Sequence, residues 1–253
     1  MVAFMATARY DSVADFYIDG WTDEINDPAT VVLLEQVGSC AGLRVLDVAC
    51  GHGRVTRALA RRGGHVTGVD VSERLVERAR RVEQESPLGI TYVLADLTTG
   101  VVPASGSFDL VTCNFGLSDV DDLVAALRAV AGALNADGRF VFSILHPCFP
   151  GSGEVSGSWP SDRPYWCEGY WMPSGRDSSL RRQVGANHRT LSTYFNALAD
   201  VGLVIELVAE PEPDDAWRSS HPAAALSPLY LVVSTRRAGR SRSPKANDLT
   251  VHE

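Results

Sequence analysis

Residues 44–60 read RVLDVACGHGRVTRALA, a run that predicts a buried strand, a glycine turn and a helix in direct succession. Val45, Leu46 and Val48 are apolar or β-branched, as a strand enclosed on both faces of a parallel sheet requires. Gly51 and Gly53 flank His52 where the chain must reverse, and glycine there lets the backbone approach a ligand closely. The helix that follows opens with free N–H groups and the positive end of its dipole. The turn is therefore shaped for the charged or polar end of a nucleoside cofactor.

A dinucleotide fingerprint needs a third glycine after this pair. Thr56 occupies that place, and Asp47 stands inside the strand where a dinucleotide site usually carries an apolar residue. No Gly-Lys-Ser/Thr follows, which excludes a P-loop. Two further strands end in acids: HVTGVD (65–70) in Asp70 and TYVLAD (91–96) in Asp96. A carboxylate at the first of these ends can accept two hydrogen bonds from a ribose diol. Each Asp alone is also a helix N-cap or turn former. Asp47, Asp70 and Asp96 on successive strands point instead to one shared site.

The run Val45-Leu46-Asp47-Val48-Ala49-Cys50-Gly51-His52-Gly53, with Asp70 and Asp96 beyond it, resembles class I S-adenosylmethionine-dependent methyltransferases of the bacterial small-molecule, secondary-metabolite type. The resemblance covers roughly residues 10–237. It implies an α/β, Rossmann-like seven-stranded sheet of order 3-2-1-4-5-7-6, with helices on both faces and the seventh strand antiparallel. It implies S-adenosyl-L-methionine as cofactor, held by Asp47, Ala49, Cys50, Gly51, Gly53, Asp70, Val71, Asp96, Leu97, Asn114 and Phe115, with Tyr17 closing over it from an N-terminal lid.

Strands are predicted at 44–50, 65–70, 91–96, 108–114 and 138–146, and helices at 54–62, 72–83 and 120–133. This alternation implies right-handed crossovers and a parallel sheet. Strands at 203–209 and 229–235 complete it. Residues 1–42 read as an N-terminal helical lid segment, 43–237 as the methyltransferase domain and 238–253 as a polar, flexible tail. Residues 147–187 break the rhythm. They are rich in Gly, Pro and Ser, yet hold Phe149, Trp159, Tyr165, Trp166, Tyr170 and Trp171. A disordered linker is poor in aromatics, so the segment is read as a cap after the fifth strand that lines an aromatic or apolar substrate pocket. The plainer reading is a folded excursion that covers a sheet edge or makes a dimer.

Methyl transfer from a sulfonium is an in-line displacement that needs alignment, exclusion of water and, for a protonated nucleophile, a base. His146, at the end of the fifth strand, and His188, in NHRTLSTYFNAL, are the candidate catalytic groups. A histidine at 146 can equally anchor the cap. Tyr10, Trp21, Phe149, Trp166, Glu168, Tyr170 and Arg189 are the expected substrate contacts. Asp119 and Asp121 read as caps of the next helix, and Thr190 as another N-cap. Asn114-Phe115-Gly116-Leu117 departs from the [DN]-P-P-[YF] of amino-group methyltransferases, which argues against DNA or protein amide acceptors.

The five cysteines are odd in number and form no C-x-x-C, so neither a disulfide framework nor a metal site is expected. A net charge of −8 argues against nucleic acid and anionic membranes. No apolar run spans a bilayer and the start of the chain is not a signal peptide, which together predict a cytoplasmic protein. The expected activity is methyl transfer to a small, aromatic, natural-product-like acceptor by a monomer or homodimer, with oxygen slightly favoured over nitrogen or carbon. Two rivals stand beside it. One is an NAD(P)-dependent oxidoreductase, favoured by Asp70 and opposed by Thr56, Asp47 and Asp96. The other is a non-catalytic S-adenosylmethionine-binding regulatory or assembly protein.

Overall fold

The computed structural model describes residues 8–238 except 101, 103–106, 152–154, 156, 161, 174–179 and 223. The expected tail therefore lies outside the described residues beyond Ala238, as do parts of the cap. The elements run α1 (Ala14–Gly20), α2 (Pro28–Val37), β1 (Arg44–Val48), α3 (Arg54–Arg61), β2 (His65–Asp70), α4 (Glu73–Glu85), β3 (Thr91–Leu94), β4 (Phe108–Asn114), α5 (Leu123–Ala133), β5 (Leu134–Leu145), β6 (Gly169–Trp171), α6 (Leu180–Val184), β7 (Ala186–His188), α7 (Leu191–Asp200), β8 (Leu203–Ala209), α8 (Asp215–Ser220) and β9 (Tyr230–Arg237).

Seven strands form one sheet in the order β3-β2-β1-β4-β5-β9-β8. The first five run parallel, and β9 is antiparallel to both β5 and β8. Counting only the strands of this sheet, the order is the expected 3-2-1-4-5-7-6. Period-two alternation explains how one strand serves two cores. On β5, Phe140, Phe142 and Ile144 face α5 and α7, while Val141 faces α2 and α3. Leu46 and Val45 divide in the same way on β1.

Local chemistry sets the element ends. Asp27, Ser72 and Thr190 cap α2, α4 and α7 by accepting from backbone N–H groups. The cap of α5 is Asp122, which accepts from Ala125 N, and the helix begins at Leu123 rather than 120. Asp119 and Asp121 are thereby corrected: neither caps that helix. The third strand stops at Leu94, because Asp96 turns the chain into a short 3-10 segment by holding Thr98.

The excursion after β5 folds on itself. Strands β6 and β7 pair antiparallel as a separate two-stranded sheet. The His188 ring lies 5.7 Å from that of Trp159 and 5.6 Å from that of Tyr165, and Trp171 Nε1 donates to Ser158 O at 2.8 Å. Glu168 Oε1 accepts from Thr190 N, Thr190 Oγ1 and Thr193 Oγ1 at the start of α7. Among the described residues, no helix is long and apolar enough to cross a membrane.

Candidate active site

A cleft of about 710 Å³ opens at the carboxyl ends of β1, β2 and β4. This is where an open α/β sheet places its ligand, beside the point at which strand order reverses. The turn after β1 builds its floor. Ala49, Gly51 and Gly53 all have positive φ, at 53°, 55° and 88°. A side chain at Gly51 would press on the Tyr17 ring at 3.4 Å, and one at Gly53 would collide with Tyr92. Glycine is required at 53 for both backbone and space.

Asp70 shapes this turn. Its Oδ2 accepts from Gly51 N at 2.8 Å and its Oδ1 from Ser72 N at 2.9 Å. Burial raises its pKa against those two hydrogen bonds. Asp47 lies deeper, between Thr112 Oγ1 at 2.7 Å and Thr56 Oγ1 at 2.6 Å. Burial pushes its carboxyl up to about 6. Thr56, which stands where a dinucleotide site has its third glycine, is thus spoken for by Asp47. Asn114 donates to Thr30 Oγ1 at 3.1 Å and accepts from Ser143 Oγ at 2.7 Å.

Of the residues expected to hold the cofactor, all but Gly53 line the cleft; Gly53 acts on it through the backbone. Tyr10 and Trp21 line it too. The walls pair apolar surface with a few convergent carboxylates, the arrangement of a small-molecule site. Asp70 and Asp96, at and just past neighbouring strand ends, put two carboxylates on the cleft wall, a chemistry suited to the hydroxyl and amino groups of a nucleoside. These residues fit S-adenosylmethionine.

The acceptor side differs from expectation. His146 is 2% exposed and absent from the cleft wall. Its Nε2 donates to Glu210 Oε1 at 2.9 Å, and its Nδ1 accepts from Cys148 N at 3.1 Å. Its two nitrogens tie the start of the cap at Cys148 to Glu210, just past the end of β8, and burial lowers its pKa. His188 is buried with its Nε2 on Tyr165 O at 2.7 Å. Phe149 packs on Ala224 and Leu229. Trp166 is 78% exposed, Glu168 holds the start of α7, and Tyr170 donates to Val184 O. Arg189 donates to Leu117 O, Val120 O and Asp121 O. None of these seven lines the cleft. Most of these side chains fold the insertion or seat it on its neighbours, Trp166 stays exposed, and the insertion reaches the cleft wall through Leu180 and Arg181 instead.

The cleft's aromatic wall comes from distant parts of the chain. Trp21 lies 6.3 Å from Phe115, and Phe115 lies 5.9 Å from Tyr230. Arg54 stacks on Trp21 at 5.3 Å and donates to Asp27 Oδ2 at 2.9 Å. The cleft wall also holds Tyr230, Arg54 and Arg181, which the sequence does not single out, and Asp119, which it offers only as a helix cap; a tyrosine opening the last strand is the one signal available.

His52 also faces the cleft, edge-on to Tyr17 at 5.5 Å. Burial, then the Arg57 charge, pushes its pKa down to about 4. The folded protein therefore binds fewer protons than the unfolded chain between about pH 4 and 6.5, and stability attributable to His52 is lost as pH falls through that window. Asp47, with its raised pKa, acts in the opposite sense between its ordinary value and about 6. On cooling-corrected urea denaturation, the wild type should lose up to about 3 kcal/mol more than His52→Gln between pH 7 and pH 4. Parallel losses would show that His52 is protonated freely in the fold.

The position of His146 yields a second expectation. His146→Gln should lower thermal stability by about 1–3 kcal/mol through the buried hydrogen bonds it alters, and leave the pH profile of turnover unchanged. Loss of the limb near neutral pH would return His146 to catalysis.

Residues 45–138 match a family model described as a methyltransferase domain. Over 106 residues the chain is 39% identical to a ubiquinone biosynthesis O-methyltransferase of Xanthomonas axonopodis pv. citri, a match covering 42% of this chain and 44% of that protein. The chain thus spans less than half the length of the curated relatives it matches. A solved S-adenosylmethionine-dependent methyltransferase of Mesorhizobium loti is 35% identical, with 82% of this chain and 96% of that one covered and a TM-score of 0.65. The fold is also that of a Burkholderia thailandensis 1,6-didemethyltoxoflavin N1-methyltransferase solved with its acceptor and S-adenosylhomocysteine, at 22% identity, 91% and 87% coverage and a TM-score of 0.60. With the glycine turn, the strand-end acids and near-complete alignment to the Mesorhizobium structure, the chain belongs to the class I S-adenosylmethionine-dependent methyltransferases.

Proposed function

We propose that this protein transfers the methyl group of S-adenosylmethionine to a phenolic oxygen of a small planar acceptor held against Trp21, Phe115 and Tyr230. The observation that carries the proposal is a single cleft in which carboxylates at one end run into three aromatic rings at the other. Flat rings suit a planar aromatic acceptor. The oxygen preference draws support from the ubiquinone O-methyltransferase relatives.

S-adenosylmethionine, when bound, supplies a methyl group made electrophilic by the adjoining sulfonium. The chain's own residues supply position and dryness. Asp70 and the Gly51 turn fix the nucleoside end. Tyr10, Tyr17 and Trp21 cover the cleft from the N-terminal segment and exclude water. Asn114, braced by Thr30 and Ser143, fixes the end of β4 beside the reacting groups. These residues would hold that methyl group in line with an acceptor oxygen that had already given its proton to solvent. No histidine base is assigned: His146 and His188 lie outside the cleft, and His52, which faces it, stands in the turn after β1 with its pKa pushed down to about 4 by burial. Rate enhancement then rests on alignment, which suits a phenol acidic enough to ionise near neutral pH.

The test offers methyl-tritiated S-adenosylmethionine with a panel of catechols, aromatic amines and cyclic β-diketones. Label on phenolic oxygen is the expected result. Label on nitrogen or carbon alone would correct the acceptor atom. Tight S-adenosylhomocysteine binding without transfer to any class would favour the non-catalytic reading, and NADH binding in its place would favour the oxidoreductase.

A further inference from the structure

The N-terminal segment crosses the cleft as a strap fastened on both banks. On the β2 side, Ser72 Oγ donates to Asp11 Oδ1 at 2.5 Å and Arg74 pairs with Asp15 at 2.8 Å. On the β4 side, Tyr10 donates its hydroxyl to Asp119 Oδ2 at 2.8 Å, and Arg9 donates to Asp119 O and Asp121 Oδ1. Tyr10 and Tyr17 stack edge to face beneath this strap, at 5.4 Å.

The same loop is gripped from the cap. Arg181 of α6 pairs with Asp119 Oδ1 and donates to Ser118 Oγ at 3.3 Å. Asn187 Nδ2 donates to Asp121 Oδ1 at 2.9 Å. Asp119 therefore divides its two oxygens between strap and cap: Oδ2 holds Tyr10 and Oδ1 holds Arg181. Both partners of the ion pair are largely buried, with 10% and 20% of their side chains exposed, so water screens the pair weakly. A carboxylate that loses Arg181 is less well held against Tyr10, and one that loses Tyr10 is less well held against Arg181.

On the reading that this cleft binds S-adenosylmethionine, we propose that Asp119 is a positioning residue that couples the strap over the cofactor to the cap, so that cofactor exchange depends on a contact made by α6. The strap cannot lift from the β4 bank until Tyr10 leaves Asp119 and Arg9 leaves Asp119 O and Asp121. Arg9 also lies over the Tyr170 ring of the cap at 4.9 Å, but among the described residues Arg181 makes no hydrogen bond or ion pair with the strap, so a change at Arg181 felt there would pass through Asp119, and coupling of this kind is reciprocal. Release of product cofactor is a step at which such a contact can limit turnover.

The experiment preloads the full chain with tritiated S-adenosylhomocysteine, dilutes it into unlabelled excess and follows loss of label. Hydrogen exchange of the 9–20 amides is recorded in parallel. Arg181→Met should speed release about tenfold and raise exchange across residues 9–20, and Asp119→Asn should do the same. Tyr10→Phe, which deletes one hydroxyl, should speed release and, because the coupling is reciprocal, raise exchange in α6 as well. Wild-type release and wild-type strap exchange in a folded Arg181→Met protein would overturn the proposal. If that variant does not fold, unchanged release from Asp119→Asn overturns it equally. Failure of the wild type to retain any S-adenosylhomocysteine would count against the cofactor reading, a separate result.

Discussion

Asp70→Ala should bind S-adenosylhomocysteine at least about 100-fold more weakly than the wild type, which corresponds to about 3 kcal/mol. The carboxylate is more than a ligand contact. Its two oxygens satisfy Gly51 N–H and Ser72 N–H, one in the glycine turn and one at the start of α4. Truncation leaves two backbone donors in a sheltered place without partners, at about 1–3 kcal/mol each. The turn would move to find others, and the donors it presents to the ligand would move with it. Asp70→Asn should fall between the two, because an amide oxygen can accept only one of the bonds. Calorimetric titration at neutral pH, with thermal melting as a control for folding, reads both variants. Near-wild-type affinity in a folded Asp70→Ala protein would reduce Asp70 to a turn former.

The cofactor end of this site was legible in the sequence because its determinants are local. A strand, two glycines and a helix lie within 17 residues (44–60), Asp47 stands inside that strand, and Asp70 and Asp96 fall at and just past the ends of the next two. The sheet order followed from alternation, since right-handed crossovers leave few topologies open. The acceptor end was not legible for the opposite reason. Trp21, Phe115 and Tyr230 come from three remote segments and meet only after folding. The six aromatics crowded into 147–187 read as a substrate cap, but a small two-stranded excursion needs its own core: Trp159, Tyr165 and Trp171 are spent there, and Phe149 seats it against Ala224 and Leu229. His146 misled in the same way. Its place at a strand end is the right height for the cleft, yet its two nitrogens are committed to Glu210 and the Cys148 N–H. Composition shows which groups are present, and only partners show which remain free to act.

Gly116→Ala should destabilise the fold by about 2–3 kcal/mol and weaken S-adenosylhomocysteine binding about tenfold or more, although residue 116 carries no side chain to lose. Among the described residues, Ala49 and Phe115 are the two non-glycine positions with positive φ, at 53° and 60°, and both line the cleft. Each left-handed conformation costs on the order of 1 kcal/mol and persists because its surroundings over-determine it. Gly116 is where those surroundings meet. A Cβ there would overlap that of Ala49 and stand 2.9 Å from Cys113 Sγ. The turn after β1 and the turn after β4 thus interlock through a missing side chain, and a methyl group would drive Ala49 and the Gly51 donors away from the ligand. Ala49→Gly removes the opposing methyl and relieves a left-handed alanine, so the double variant Ala49→Gly/Gly116→Ala should recover most of the affinity and stability lost by Gly116→Ala alone. Denaturation and calorimetry on the four proteins give the interaction energy directly, and a value of at least about 1 kcal/mol in favour of the double variant is expected for groups in contact. Strict additivity would mean that the two turns do not bear on one another, and that the cleft owes its shape to each strand end separately.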